Sequence, residues 1–261
     1  ATAAKKSGRV AAEGLVAINV AGTSAAMIEL NAETDFVSRN NDFQSLALNL
    51  AKLANNASDI VSLNSLAFPN TQRTVAEEIT HNIATIGENI MLRRMKNIKV
   101  NNGRVISYIH NATANGMGRI GVLVALESDA VTEILESLGK QIAMHVAATK
   151  PLSLSVESLD PEMVQRERDV LIEQAKESGK PQEIAEKMVE GRLRKYYQEV
   201  VLLEQIFVID GESKVSEVIK KVAIDSGSDI ILKEFSFFVL GDGVEKEETD
   251  FAEEVAAQLN R

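Results

Sequence analysis

The 261-residue sequence contains no cysteine and no tryptophan, and aromatic residues make up only 4% of it. Without cysteine the chain can form no disulfide, no thiolate nucleophile and no cysteine-based metal site, which suits a reducing cytoplasm. The scarcity of aromatic residues means that any core must be built mainly from aliphatic side chains. Hydrophobic residues at 45% and charged residues at 25% are ordinary proportions for a folded chain of one large or several small domains.

Long hydrophobic runs are also missing from the sequence. Apolar stretches such as Val122–Leu126 are far shorter than the roughly 20 residues that a membrane-spanning helix needs. No basic start followed by an apolar run marks a signal peptide. We therefore predict a cytoplasmic protein that has no membrane partner.

Charge is distributed unevenly around a formal net charge of −10. Residues 1–120 carry 12 basic and 9 acidic side chains, whereas residues 121–261 carry 16 basic and 29 acidic ones. An acidic chain repels phosphate backbones, so we predict no direct binding of nucleic acid. A protein partner fits this charge better.

Two stretches have the pattern of a β-hairpin followed by a helix. The alternating segments of the hairpins are residues 14–20 with 24–31, and residues 104–110 with 119–127. Apolar residues at helical spacing follow each hairpin. A lone strand then returns in each half, at residues 90–100 and 230–240. This order predicts an α+β fold with two similar subdomains, each a three-stranded antiparallel sheet backed by helices.

A helical insertion interrupts the second half at residues 160–226. Asp160-Pro161 opens one helix, the turn at residues 178–181 ends it, and further apolar stripes at steps of three and four follow. Two such stripes joined by a turn predict an antiparallel helical hairpin, and they motivate the hypothesis of a homodimer formed through residues 180–226. The predicted units are subdomain N at 14–102, subdomain C at 103–159 and 227–247, the insertion at 160–226, and a C-terminal helix at 248–261.

No pattern in the chain points to catalysis or to a bound cofactor. Residues 116–121 fit the dinucleotide pattern G-x-G-x-x-G, but that site requires a following helix, and a β-rich segment follows here. No G-x-x-x-x-G-K-[ST] phosphate loop occurs. His81, His110 and His145 lie in separate predicted elements without metal-binding spacing. We predict no catalytic residue, no cofactor and no metal, and therefore a protein that is not an enzyme.

The sequence Thr34-Asp35-Phe36-Val37 is more informative than these weak motifs. Thr34 can cap a helix, and Asp35 in the first turn would complement the helix dipole. The ordinary explanation is a capped helix start that tucks Phe36 into the core. The same tripeptide recurs at Thr249-Asp250-Phe251. His145 borders an apolar helix face, which is typical of a half-buried, hydrogen-bonded histidine.

Six blocks of the sequence match one known family in the same order along the chain. They are Ala3–Gly14, Glu33–Val37, Ile86–Ile90 with Arg93-Arg94, Arg119–Val124, Ile142–Ala148 and Gly179–Arg192. The chain resembles the elongation factor Ts family of bacterial-type translation factors over nearly all of its length. The resemblance implies two α+β core subdomains, the second interrupted by a dimerisation hairpin. It also implies that residues 1–13 are a linker after an N-terminal helical module that this chain lacks.

The resemblance further implies a partner and a set of contact residues. The partner is elongation factor Tu, and the activity is guanine nucleotide exchange that promotes release of GDP from Tu. In the family, the Asp-Phe pair of the T-D-F-V motif lies beside the magnesium and nucleotide site of Tu. The partner-binding residues implied for this chain are Thr34, Asp35, Phe36 and Val37 at that site, Met144 and His145 in a second contact block, and Thr249, Asp250 and Phe251 near the final helix.

Two other functions are compatible with the residues alone. A structural adaptor would use the helical hairpin and the acidic surface without any exchange activity. An enzyme would pair one histidine with a carboxylate, although no converging set of catalytic residues supports that alternative. Release of nucleotide from Tu distinguishes the exchange factor from both.

Overall fold

The computed structural model describes residues 4–245 and shows the predicted α+β class. The helices and strands of this part are β1 (Glu13–Ala21), β2 (Ser24–Ala32), α1 (Asn41–Ala54), α2 (Ile60–Ser65), α3 (Val75–Ile86), β3 (Ile90–Lys99), β4 (Gly103–Ala114), β5 (Met117–Ser128), α4 (Thr132–Thr149), α5 (Pro161–Glu177), α6 (Gln182–Val200), α7 (Val215–Ser226) and β6 (Ile230–Val239). Among residues 4–245, no helix is both long and apolar enough to cross a membrane. The helix predicted at 248–261 lies outside the described residues.

The strands form two antiparallel sets of three that share one hydrogen-bonded sheet. In the first set β2 lies between β1 and β3, and in the second β5 lies between β4 and β6. The two sets meet where β1 pairs with β5, over only two residue pairs, Val16 with Gly118 and Ala17 with Met117. A short strip of backbone hydrogen bonds therefore connects the two halves of the sheet.

The hairpin between β4 and β5 is tighter than the sequence pattern predicts. Strand pairing continues to Ala114 opposite Met117, so the turn contains only residues 115 and 116 and not the whole of 111–118. Gly116 has a positive φ of 74°, a backbone conformation that glycine and a few polar residues adopt readily in tight turns. The two strands therefore extend beyond residues 104–110 and 119–127, which the alternating pattern marks.

Each hairpin has a glycine in the same unusual environment within the first two residues of its first strand. Gly14 and Gly103 have φ values of 119° and 131°, and a Cβ atom at either position would lie about 2 Å from a carbonyl oxygen of the paired strand, that of Leu30 or Leu126. In each case the partner strand carries a register shift beside that leucine. A glycine packed against a carbonyl oxygen beside a register shift thus occurs once in each strand set.

Three hydrophobic clusters hold the helices and the two strand sets together. The first lies between the β1–β2–β3 set and helices α1, α2 and α3, and it contains fully buried Leu15 and Phe43. The second lies between the β4–β5–β6 set and helices α4 and α7. The third contains strand residues from both sets, including Val16, Leu123 and Phe238. Because alternate strand residues point to opposite faces, Leu15 faces the helices and Val16 faces the other strand set.

The helical region at 160–226 contains two different kinds of packing. Helices α5 and α6 pack on each other around a small separate cluster of Leu171, Ala175, Val189 and Leu193. Polar contacts also cross this pair, with Arg168 lying 2.8 Å from Glu190. Helix α7 instead buries Val215 and Ile219 in the second cluster, against the sheet. Within this region, α5 and α6 thus form a unit that is distinct from α7.

Candidate protein-binding site

The Thr34–Val37 segment is separated from β2 by Glu33 alone and enters a short 3-10 helix at Asp35–Arg39. The side chain of Val37 is buried in the first cluster, only 6% exposed. The neighbouring ring of Phe36 is 81% exposed, more than any other large hydrophobic side chain in the described part of the chain. The ordinary expectation that Phe36 is a core residue was wrong. An aromatic ring that projects into solvent is suited to bury itself against a partner.

Thr34 occupies the N-cap position of the 3-10 helix, but its side chain does not cap that helix, contrary to the sequence prediction. Its side chain makes no capping hydrogen bond, and its hydroxyl donates instead to Glu88 Oε1 at 2.6 Å. The helix that follows is capped by Asn40, whose side-chain oxygen accepts the backbone N–H groups of Asp42 and Phe43 at 2.9 and 3.0 Å. A side chain therefore caps a helix six residues further along the chain, at the start of α1.

A network of hydrogen bonds ties the start of the segment to the turn after α3. Glu88 Oε2 accepts the backbone N–H groups of Glu33 and Thr34 at 3.1 and 3.0 Å. In return, Glu33 Oε1 accepts the N–H of Asn89 at 2.6 Å. The side-chain amide of Asn89 donates to the carbonyl oxygen of Arg9 at 2.7 Å, so the segment before β1 joins the same network. The backbone on the N-terminal side of Phe36 is thus tied to two other segments of the chain.

A polar cavity of about 460 Å³ adjoins Asp35. Its other walls include Arg39, Arg119 and the end of the β4–β5 hairpin, with Asn111 and Thr113. Residues of the second strand set and of the Thr34–Val37 segment therefore line the same cavity. Opposite charges from Asp35 and the two arginines therefore lie around one exposed depression.

His145, in the second predicted contact block, is fully buried on α4. Its Nε2 lies 2.8 Å from Gln205 Oε1, and its Nδ1 accepts the N–H of Val208 at 3.2 Å. Burial lowers the pKa of His145 below its usual value, and the hydrogen bond with Gln205 opposes that shift. Because Nδ1 accepts a hydrogen bond, the neutral ring with a proton on Nε2 fits this site.

The segment held by His145 exposes apolar side chains that the sequence reasoning missed. Ile206, Val208 and Ile209 are between 44% and 49% exposed, and Met144 on α4, which the family resemblance already implied as a contact residue, is 38% exposed. The ring of His145 also packs against Phe207, with ring centroids 5.7 Å apart. The side chain of His145 therefore supports a surface segment from below, while its neighbours reach solvent.

The glycine pattern at residues 116–121 serves strand packing. A Cβ atom on Gly118 would lie 2.7 Å from the backbone oxygen of Asn111, and one on Gly121 would lie 2.6 Å from the side chain of Val16. Both glycines lie in β5, and no helix follows them directly. Among residues 4–245, no group of three or more histidine, aspartate or glutamate side chains is placed to hold a metal ion.

Comparisons with known proteins agree on one family. A family model described as "Elongation factor TS" matches residues 33–242. The chain is 56% identical over 263 residues to the elongation factor Ts of Rhodospirillum rubrum, with 100% of this chain and 85% of that protein covered. It is 53% identical to the elongation factor Ts of Rhodospirillum centenum, over 98% of this chain and 84% of the relative, and 54% identical to that of Gluconobacter oxydans, over 98% and 82%. All of these relatives carry the name elongation factor Ts. The chain belongs to the elongation factor Ts family.

Proposed function

We propose that this chain is a guanine nucleotide exchange factor that binds GDP-loaded elongation factor Tu and promotes release of the GDP. Membership of the elongation factor Ts family supplies the activity. The observation that links the exchange activity to particular residues is the exposure of Phe36. Its ring is 81% exposed and lies between buried Val37 and hydrogen-bonded Thr34. Because this ring is largely exposed, it buries little apolar surface within its own chain and contributes little to folding. The ring is therefore free to bury that surface against a partner.

Exchange is a linkage between two ligands of one partner. A factor that weakens GDP on Tu must itself be bound more weakly by GDP-loaded Tu, and by the same free energy. We infer that the chain binds best to the conformation of Tu that holds Mg²⁺ and phosphate poorly. The chain needs no nucleotide site of its own for this mechanism.

The four residues of the Thr34–Val37 segment have different parts in this proposal. Phe36 inserts between packed side chains of Tu, because its ring buries a large area while few rotatable bonds are fixed. The exposed Asp35 brings negative charge towards the metal and phosphate region, where it repels the nucleotide or competes for its donors. Thr34 and Val37 hold the backbone through Glu88 and the first cluster.

We propose a second contact region around Met144 and the segment 206–209. Met144, Ile206, Val208 and Ile209 offer partly exposed apolar surface, and buried His145 fixes the backbone of Val208. His145 would therefore act by holding this surface in place. Thr249, Asp250 and Phe251 are proposed as a third contact, and they lie outside the described residues.

The proposed arrangement of the chain follows its hydrophobic clusters. Each strand set with its helices is proposed to be one core subdomain, and the α5–α6 pair is proposed to be the projecting helical hairpin. A groove of about 860 Å³ runs along this pair, with Ile172 and Val189 among its lining residues. We propose that a homodimer, predicted to form through residues 180–226, uses the α6 side of the groove. Activity on Tu would place the protein in the cytoplasm.

Release of fluorescent GDP from purified Tu, measured with and without this chain, tests the proposed function. We expect sub-stoichiometric chain to accelerate release many-fold, because an exchange factor turns over. A chain that binds Tu without changing the release rate would instead be an adaptor. Equilibrium dialysis of the chain alone with GDP and GTP provides the control, since stoichiometric nucleotide on the isolated chain would contradict the proposed mechanism.

A further inference from the structure

The carboxylate of Glu88 accepts three hydrogen bonds from two neighbouring residues, Glu33 and Thr34. It accepts the N–H of Glu33 at 3.1 Å, the N–H of Thr34 at 3.0 Å and the hydroxyl of Thr34 at 2.6 Å. These donors lie 54 and 55 residues away in the sequence, just after the end of β2. One side chain thus satisfies every donor that the structure shows on Thr34.

The position of these bonds matters more than their number. Thr34 has extended backbone, with φ −121° and ψ 157°, and it immediately precedes the 3-10 turn that carries Phe36. Two residues after Phe36, the hydroxyl of Ser38 donates to the carbonyl of Asp35 at 2.6 Å, and Val37 is buried. The exposed ring therefore lies between one anchor made by Glu88 and another made by Val37.

The two anchors are chemically different. Val37 is held by apolar packing in the first cluster, which fixes the depth of the turn but does not specify a backbone direction. The carboxylate of Glu88 accepts charge-assisted hydrogen bonds, which are directional and about twice as strong as neutral ones. Glu88 therefore determines the direction in which the chain leaves β2 and enters the turn.

We propose that Glu88 is a positioning residue for nucleotide exchange, which holds the Thr34–Val37 segment so that Phe36 is presented to Tu in its binding conformation. This proposal rests on the proposed function. A turn that is already ordered loses less conformational freedom when it binds, so the interaction of Phe36 with Tu is stronger than it would be from a loose turn. Glu88 acts through Phe36 and need not touch the nucleotide.

A double-mutant cycle in the full chain tests this proposal. Glu88→Ala removes all three hydrogen bonds, and Phe36→Ala removes the ring that they position. We expect Glu88→Ala to slow catalysed GDP release about tenfold when Phe36 is present and less than about twofold when Phe36 is already alanine, because coupled residues are non-additive. An equal loss in both backgrounds, or no loss in either, would overturn the proposal.

Further variants separate positioning from simple loss of stability. Thr34→Val removes only the hydroxyl bond and should give a smaller loss of exchange, while Thr34→Ser keeps the bond and should restore nearly full exchange. Glu77→Ala is the matched control, because Glu77 also accepts a backbone N–H beside α3, that of Thr74 at 2.8 Å, but at the other end of the helix. Exchange by Glu77→Ala should equal that of the wild type.

The outcomes also distinguish this proposal from the proposed function. If the wild-type chain does not accelerate GDP release, the proposed function fails. If the wild type accelerates release and Phe36→Ala is slow, but Glu88→Ala and Thr34→Val match the wild type per folded molecule, only the role of Glu88 is refuted. Thermal melting of each variant supplies the folded fraction for this comparison.

Discussion

Replacing Phe36 with alanine separates a core role of this ring from a partner-binding role. Truncating a buried phenylalanine costs about 3–5 kcal/mol, from lost transfer free energy and the cavity that remains. The ring of Phe36 is 81% exposed, so little buried surface is lost and no cavity forms. We therefore expect Phe36→Ala to change the free energy of unfolding by no more than about 0.5 kcal/mol.

The same substitution should have a large effect on the complex with Tu. An exposed aromatic residue at the centre of an interface costs about 2 kcal/mol or more when it is truncated. A loss of 2 kcal/mol corresponds to about a thirty-fold change in an equilibrium constant, since every 1.4 kcal/mol is tenfold. Catalysed GDP release at limiting concentrations of the chain should slow by roughly this factor.

Phe43→Ala is the matched control for this experiment. Phe43 lies on α1 in the first cluster and is fully buried, so its truncation should lower the unfolding free energy by about 3–5 kcal/mol. Per folded molecule, Phe43→Ala should keep near-normal exchange. Urea unfolding and fluorescent GDP release together report the two effects. A large stability loss in Phe36→Ala, with unchanged exchange per folded molecule, would refute the reasoning.

Three further predictions concern other parts of the fold. Acidification from about pH 7.5 to about pH 5 should destabilise the protein partly through His145, because burial lowers the pKa of the ring and the neutral form accepts the N–H of Val208. The contribution of neutral His145 to stability is fully present above the unfolded-state pKa of about 6.5 and is lost as the pH falls to the folded-state pKa. The unfolding free energy of His145→Gln, measured by urea melts, should therefore differ less between the two pH values than that of the wild type. Glu29→Gln should lower the unfolding free energy by about 2 kcal/mol, since hydrogen bonds to charged groups are worth about 1.5–3 kcal/mol and fully buried Glu29 accepts from Arg93 and Arg94; an unchanged urea midpoint would contradict this. Deleting α5 and α6 should reduce any oligomer to a monomer in sedimentation, and a persisting oligomer would place the interface elsewhere.

Elements whose pattern is short-range could be predicted closely from the sequence. The first hairpin was predicted at 14–20 and 24–31, and the strands lie at Glu13–Ala21 and Ser24–Ala32. Alternation along a strand and three- to four-residue spacing along a helix involve only residues that are close in sequence. These patterns can therefore be recognised without any knowledge of the fold. The family could also be identified, since its motifs are continuous blocks of sequence.

Choices between two possible partners could not be predicted in this way. The hydroxyl of Thr34 could cap the following helix or bind elsewhere, and a local pattern shows only the nearby partner. Its actual acceptor is Glu88, 54 residues further along the chain. The amphipathic stripe of α7 likewise predicts a buried face without saying against what, and the fold places that face against the sheet.

The sequence by itself determined the α+β class, the two hairpins and the family to which the chain belongs. Only the tertiary structure decided that Val37 is buried while adjacent Phe36 projects into solvent, and that His145 supports a surface from inside. The physical reason is that burial and hydrogen-bond partners depend on residues brought together from distant parts of the chain. Hydrophobicity marks Phe36 and Val37 alike as candidates for the core, and only the packing of the folded chain shows that Val37 enters the first cluster while Phe36 stays outside it.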